Sequence, residues 1–282
     1  MTTDISPEGL QKVYDALQRI PEGRVGVKLS TGEAGGHYYL SPDLIEDLVQ
    51  SVNGTIVECN TAYGGSRSST AAHMQVAEEH GFTAIADVDI MDADGSMSLP
   101  VTGGRHLQEN LVGAHMADYD FIMVLSHFKG HAMAGFGGAI KNISIGIASS
   151  DGKLMIHTGG KGGSMWSADQ DSFLEAMGEA AKSVSEYEGN GERMLYINVM
   201  NNLSVDCDCD SSPSEPDMHD VGILASLDPV ALDQACIDIV YDTDTGASLV
   251  ERIESRNGLH TLEYAEEIGL GSRTYEVVSV DD

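Results

Sequence analysis

Phe121-Ile-Met-Val-Leu-Ser126 runs directly into His127-Phe-Lys-Gly-His131, and Gly135-Phe-Gly-Gly138 follows four residues on. The apolar run is far short of the roughly 20 residues a membrane-spanning helix needs. Unbroken and closed by polar residues, it reads as a strand buried on both faces, as in parallel sheets. Its neighbours alternate in kind. Arg24–Ser30 and Thr55–Asn60 read as strands, and so do Met194–Val199 and Val221–Ala225. Between them Leu10, Val13, Tyr14 and Leu17 recur at helical spacing behind Ser6-Pro7, and Leu44, Ile45, Leu48 and Val49 behind Ser41-Pro42. Serine at the N-cap with proline at the first helical position is a helix-start signature. Further helices are expected near Ser69–His80, Gly138–Ile147, Asp171–Glu188, Pro229–Val240, Ser248–Glu254 and Leu262–Ile268. Additional strands are expected near Phe82–Val88, Leu107–Met116 and Tyr275–Val280. Such alternation predicts an α/β fold, a mostly parallel or mixed central sheet with helices on both faces. Residues 1–282 are expected to form one α/β domain, or at most two closely packed lobes.

The chain carries 45 acidic residues against 15 Lys and Arg, a formal charge of −30. Such a surface repels phosphate backbones and anionic head groups, which argues against nucleic acid and membrane surfaces as partners. Solubility or adaptation to salt is the plain explanation of the acidity. Met1-Thr-Thr-Asp-Ile-Ser6 has no basic region before an apolar run, so no secretory signal is expected and the location is expected to be cytoplasmic. Four cysteines in a chain of this length do not make a disulfide framework.

Charge is reversed locally. Phe121–Ala168 holds a single acid, Asp151, where an even spread would place about eight. It also holds Lys129, Lys141, Lys153 and Lys161, and its balance is +3. His127–His131 lies where a buried strand ends, the usual ligand position in open α/β sheets. Gly137 and Gly138 lead into a helix whose first N–H groups can receive an anion, with Lys141 adding a point charge. The alternative is a glycine-rich turn with solvated lysines. Cys207-Asp-Cys209 is the second constellation. In extended backbone both thiols share a face and can meet one metal ion, or they are two ordinary thiols in an acidic loop. Arg67 is a third candidate, as a clamp for a carboxylate. No G-x-S-x-G, H-E-x-x-H or G-x-x-x-x-G-K motif is present.

Taken in order, Asn60-Thr-Ala-Tyr-Gly-Gly-Ser-Arg67, Ser126-His-Phe-Lys-Gly-His131, Gly135-Phe-Gly-Gly-Ala-Ile-Lys-Asn142, Gly152-Lys153, His157, Cys207-Asp-Cys209 and Asp220–Ala235 resemble the domain-of-unknown-function 362 family. Members are often labelled iron–sulfur center proteins, and many relatives carry a ferredoxin-like cysteine segment after the position of His157. Here that region reads Thr158-Gly-Gly-Lys-Gly-Gly-Ser-Met-Trp166, without cysteine, so no iron–sulfur cluster is expected. The resemblance implies that the three separated pieces act together, and redox chemistry in the relatives. It implies no specific reaction.

The expectation is an enzyme-like core that binds a small anionic ligand and one transition-metal ion. Arg67, Lys129, Gly137, Gly138 and Lys141 would hold the anion. His131 would be general base or metal ligand, with Cys207 and Cys209 as thiolate ligands. Two thiolates and an imidazole suit zinc, nickel or iron better than magnesium. The rival is a non-catalytic module that binds a metal or a protein partner, including another copy of itself.

Overall fold

The computed structural model describes residues 1–281, apart from the side chain of Ser167. Its central sheet has six strands: β1 (Val25–Lys28), β2 (Thr55–Glu58), β3 (Val88–Ile90), and beyond a hairpin of β4 (Ser96–Pro100) and β5 (Glu109–Gly113), β6 (Phe121–His127). After the short pair β7 (Lys129–His131) and β8 (Gly135–Gly137) come β9 (Met194–Met200) and β10 (Gly222–Ser226). The sheet order is β10-β9-β6-β1-β2-β3, parallel throughout except that β10 runs antiparallel to β9. The α/β architecture is therefore as expected.

The central strand β6 shows why both faces must be covered. Phe121, Met123 and Leu125 face one apolar cluster, and Ile122 and Val124 face the other. The first cluster is sealed by α1 (Pro7–Ala16) and α2 (Pro42–Ser51), through Leu10, Val13, Leu44, Ile45, Leu48 and Val49. Next along the chain are α3 (Thr70–Glu79), α4 (Phe82–Ile85), α5 (Ala139–Ser144), α6 (Ser150–His157), α7 (Gln170–Tyr187), α8 (Pro229–Asp242), α9 (Ala247–Ser255) and α10 (His260–Glu267). The second cluster draws Ile140 and Ile143 from α5, Ala181 and Val184 from α7, and Val230, Leu232 and Ile237 from α8. Each such Leu, Ile or Val contributes about 1.5–3 kcal/mol by leaving water.

Local signals performed unevenly. Ser6 caps α1, accepting from Gly9 N–H at 3.1 Å, and Asp228 caps α8. Three expectations are corrected. Phe82–Ile85 is a helical turn, with only Val88–Ile90 joining the sheet. The segment expected as a strand at Leu107–Met116 is shorter, Glu109–Gly113, and ends in a 3₁₀ turn. Tyr275–Val280 forms no strand: it lies beside the amino terminus, with Val280 N–H donating to Met1 O at 2.9 Å, and Thr2 already bridges to the β10 edge at Ile223. The strand β4, which pairs with β5, the short pair β7–β8 and the helix α6 were not foreseen.

Glu188 follows α7 and is fully buried. Arg193 donates to its Oε2 at 3.0 Å, while Oε1 has no hydrogen-bond partner among the described residues. Burial outweighs Arg193 and pushes the carboxyl up to about 7. The native state then holds this proton more tightly than the unfolded chain does. Stability is greatest below the ordinary Glu range and falls as pH rises through about 7. Thermal unfolding of Glu188→Gln should match the wild type near pH 4.5 and exceed it by a few degrees at pH 8.

Candidate functional site

From β1 the chain moves outward to β2 and β3, then returns to place β6 on the other side of β1. That reversal leaves a split at the carboxyl ends of β1 and β6, the position where open α/β sheets bind ligands. Asn142, on α5, bridges the split: its Nδ2 donates to Lys28 O at 3.1 Å, Leu125 O at 3.3 Å and Ser126 Oγ at 3.0 Å. Above it opens a cavity of about 880 Å³, mouth included, lined among others by Arg67, Lys129, His131, Gly137, Gly138, Lys141, Cys207 and Cys209. The three separated pieces of sequence thus meet in one pocket.

The loop with the two cysteines is held in place by backbone fit. Gly130 N–H donates to Ser204 O at 2.8 Å, and a Cβ at Gly130 would lie 2.3 Å from Val205 O. Asp208, between the cysteines, points into the protein. His127 Nδ1 meets its Oδ1 at 2.8 Å, and Lys129 Nζ pairs with its Oδ2. The other His127 nitrogen faces Asn201 O at 2.6 Å. Burial alone would raise the Asp208 carboxyl; Lys129 and His127 hold it well below the usual carboxylate range.

These pairings change the expected roles of the cations. Lys129 is neutralised by Asp208. Arg67 is buried between Glu33 at 3.4 Å and Glu58 at 3.6 Å. Lys28, which the sequence did not single out, sits 3.9 Å from Glu58 and is lowered by burial to about 8. Lys153 donates to Ala148 O at 2.5 Å and Cys59 O at 3.4 Å. Lys141 alone among the lining cations has neither an ion-pair nor a hydrogen-bond partner for its ammonium among the described residues. Burial, with Lys129 nearby, lowers it to about 7.

The backbone cradle expected at Gly137 and Gly138 is filled from inside the protein. Asp233, on α8, accepts from Ala139 N–H at 2.8 Å and Ile140 N–H at 2.9 Å, the first amides of α5. A Cβ at Gly138 would lie 2.3 Å from Asp233 Oδ1. Gly138 therefore makes room for that carboxylate, and both glycines line the pocket wall. The first two amides of α5 are therefore taken by Asp233.

His131 lines the same pocket. Its Nδ1 accepts from Met133 N–H at 3.2 Å and Ala134 N–H at 2.9 Å. Burial, then Lys141, keeps its pKa well below the usual histidine value, so the ring is neutral with its proton on Nε2. In this form it offers an Nε2–H as a donor to the pocket.

His131, Cys207 and Cys209 each offer a donor atom within 4.8 Å of the others, a group that can hold a metal ion. The two sulfurs are bonded to one another in this structure, so thiolate ligation requires their reduction. An ion held by His131 Nε2 would also shift the ring proton to Nδ1, against two backbone N–H groups. The set fits a soft or borderline metal once the pair is reduced.

A family model described as domain of unknown function (DUF362) matches residues 25–238. The chain belongs to the DUF362 family. No curated protein matches the sequence. Two solved structures are similar to this DUF362 chain. The lactate racemase apoprotein from Thermoanaerobacterium thermosaccharolyticum is 16% identical, with a TM-score of 0.49, over 85% of this chain and 56% of that one. A structural-genomics crystal structure of a Thermotoga maritima protein is 14% identical, with a TM-score of 0.44, over 82% of this chain and 57% of that one. The chain thus spans little more than half the length of either, and likeness at this level does not extend to the chemistry of the site. No helix among the described residues is long and apolar enough to cross a membrane.

Asp208, Asp233, Lys28, Glu58 and His157 were missed as site residues. Asp208 carries a signal, an acid between two cysteines, but Asp206 and Asp210 flank it in the same loop and make it one acid among several. Asp233 and Glu58 had none, because each stands in an ordinary helix or strand pattern.

Proposed function

We propose that this DUF362 chain binds a small organic anion in the β1–β6 crevice, with Lys141 as its charge partner. One observation carries this: the Lys141 ammonium has no ion-pair or hydrogen-bond partner among the described residues, in a pocket where Lys28, Arg67 and Lys129 each have a carboxylate and Lys153 two carbonyls. A buried charge is stable when paired, so a cation left open in a cavity is a place for an anion. The Nε2–H of His131 adds a donor suited to a carboxylate or phosphate oxygen. Thermal unfolding with acetate, propionate, succinate and phosphate tests the reading. At least one should raise the wild-type Tm by several degrees, and Lys141→Ala should lose that rise while keeping its own fold. If none of these anions moves the wild type, the pocket is not an anion site.

A second reading, in which a metal takes the place of the His131 N–H donor, is supported by the proximity of His131, Cys207 and Cys209. With the cysteine pair reduced, the same mouth would take one zinc, nickel or iron ion. It would then present an electropositive centre beside Lys141, able to ligate one end of the anion or polarise it.

A further inference from the structure

His157 lines the same pocket but belongs to none of the roles above. It is the last residue of α6, whose start is capped by Ser149 accepting from Gly152 N–H at 3.3 Å. The ring is held on two sides. It stacks on Phe173, with centroids 5.1 Å apart and planes inclined by 15°. Its Nδ1 lies 2.7 Å from Lys153 O. A carbonyl oxygen can only accept, so Nδ1 carries the proton. Burial lowers the ring to about 4, which leaves it neutral near pH 7. A neutral imidazole has one ring proton, and here it is spent on Lys153 O. Nε2 is therefore a bare acceptor, with no hydrogen-bond partner among the described residues.

The two pocket histidines thus have opposite tautomers. His131 has its Nδ1 filled by backbone N–H groups and offers an N–H. His157 has its Nδ1–H bound to a carbonyl and offers a lone pair. The lining cations and His131 are all donors, so His157 Nε2 supplies an acceptor that a plain carboxylate has no group to use.

We infer that His157 selects the anion: it accepts a hydrogen bond from a hydroxyl group of the ligand, which makes the preferred ligand a small hydroxy acid. This rests on the anion-pocket reading above. An ammonium could also donate to Nε2, but Lys141 and Lys153 lie close enough to lower the His157 ring electrostatically, and the same positive field repels a second cation. A hydroxyl donates without adding charge. The hydroxy acid would place its carboxylate at Lys141 and its hydroxyl at His157.

Two pairs of probes differing by one hydroxyl test this by calorimetric titration: glycolate against acetate, and 3-hydroxypropionate against propionate. In the wild type the hydroxy member of at least one pair should bind about fivefold more tightly, the worth of one net hydrogen bond. His157→Phe, which keeps the ring stacked on Phe173, should bring that ratio to about one while retaining the plain acid's affinity. Equal affinities within both pairs in the wild type, with binding observed, would overturn the inference and leave the anion pocket standing. So would a ratio unchanged in His157→Phe. Failure of all four acids to bind would remove the pocket reading and the inference with it. An independent readout needs no ligand: long-range proton–nitrogen correlation on 15N-histidine-labelled wild type, with His157 assigned by its absence from His157→Gln. The Nδ1–H pattern is expected, and an Nε2–H pattern would refute the acceptor role.

Discussion

Asp233→Ala should lower the stability of the protein by about 3–5 kcal/mol, among the largest effects of any single polar substitution here. Asp233 is fully buried and meets three donors: the amides of Ala139 and Ile140, and Asn198 Nδ2 at 2.7 Å. Burial pushes its carboxyl up to about 6, which records how costly the charge is in that setting. Alanine removes the charge but strands three buried donors without water to replace it, and each orphan costs about 1–3 kcal/mol before relaxation. Asn is no remedy, because its amide group would face N–H with N–H on one side. The expected result is a Tm lower by about 10 °C for Asp233→Ala, with a smaller loss for Asp233→Asn. The effect should reach the pocket as well. α5 carries Lys141 and Asn142, so a frayed helix start displaces the unpaired ammonium, and anion-induced stabilisation should weaken along with Tm. A Tm unchanged by Asp233→Ala would show that α5 does not depend on this cap.

Metal binding should be all or none with the state of the cysteine pair. After reduction and removal of the reductant under anaerobic conditions, the wild type should take up one equivalent of zinc, read by elemental analysis after desalting. Cys207→Ser and Cys209→Ser should each lose that uptake, because removing one of two thiolates leaves a single soft ligand and an imidazole. The disulfide form should bind none, since a bonded sulfur has no thiolate charge. His131→Ala should weaken uptake without abolishing it, because His131 Nδ1 must give up two backbone hydrogen bonds to serve. Uptake at full stoichiometry by both serine variants would remove these residues as ligands. Absence of uptake by the reduced wild type would remove the metal reading and leave the anion pocket untouched.

Much of the frame was legible in the residues. The apolar run at Phe121 and the Ser-Pro helix starts led to an α/β sheet covered on both faces, and the acid-poor stretch from Phe121 to Ala168 marked the wall of the pocket. The errors have a common cause. Periodicity reports which face of an element is buried, but not whether a partner strand exists, so Tyr275–Val280 looked like a strand although no sheet edge receives it. The short apolar stretch at Phe82 was equally silent on helix or strand.

The sequence by itself determined where positive charge accumulates, which strand ends at the crevice and which elements cover the sheet, because these follow from local order and composition. Only the tertiary structure decided which charges remain available. Lys129 and Asp208 are separated by 79 residues, Arg67 and Glu33 by 34, and Asp233 and the start of α5 by 94. Whether such groups meet depends on strand order and on how one helix packs against another, and an ion pair is settled within about 4 Å. The same holds for the histidines: the proton on each ring is placed by the backbone group opposite Nδ1, an amide for His131 and a carbonyl for His157. Both residues read alike in the sequence, and folding makes one a donor and the other an acceptor.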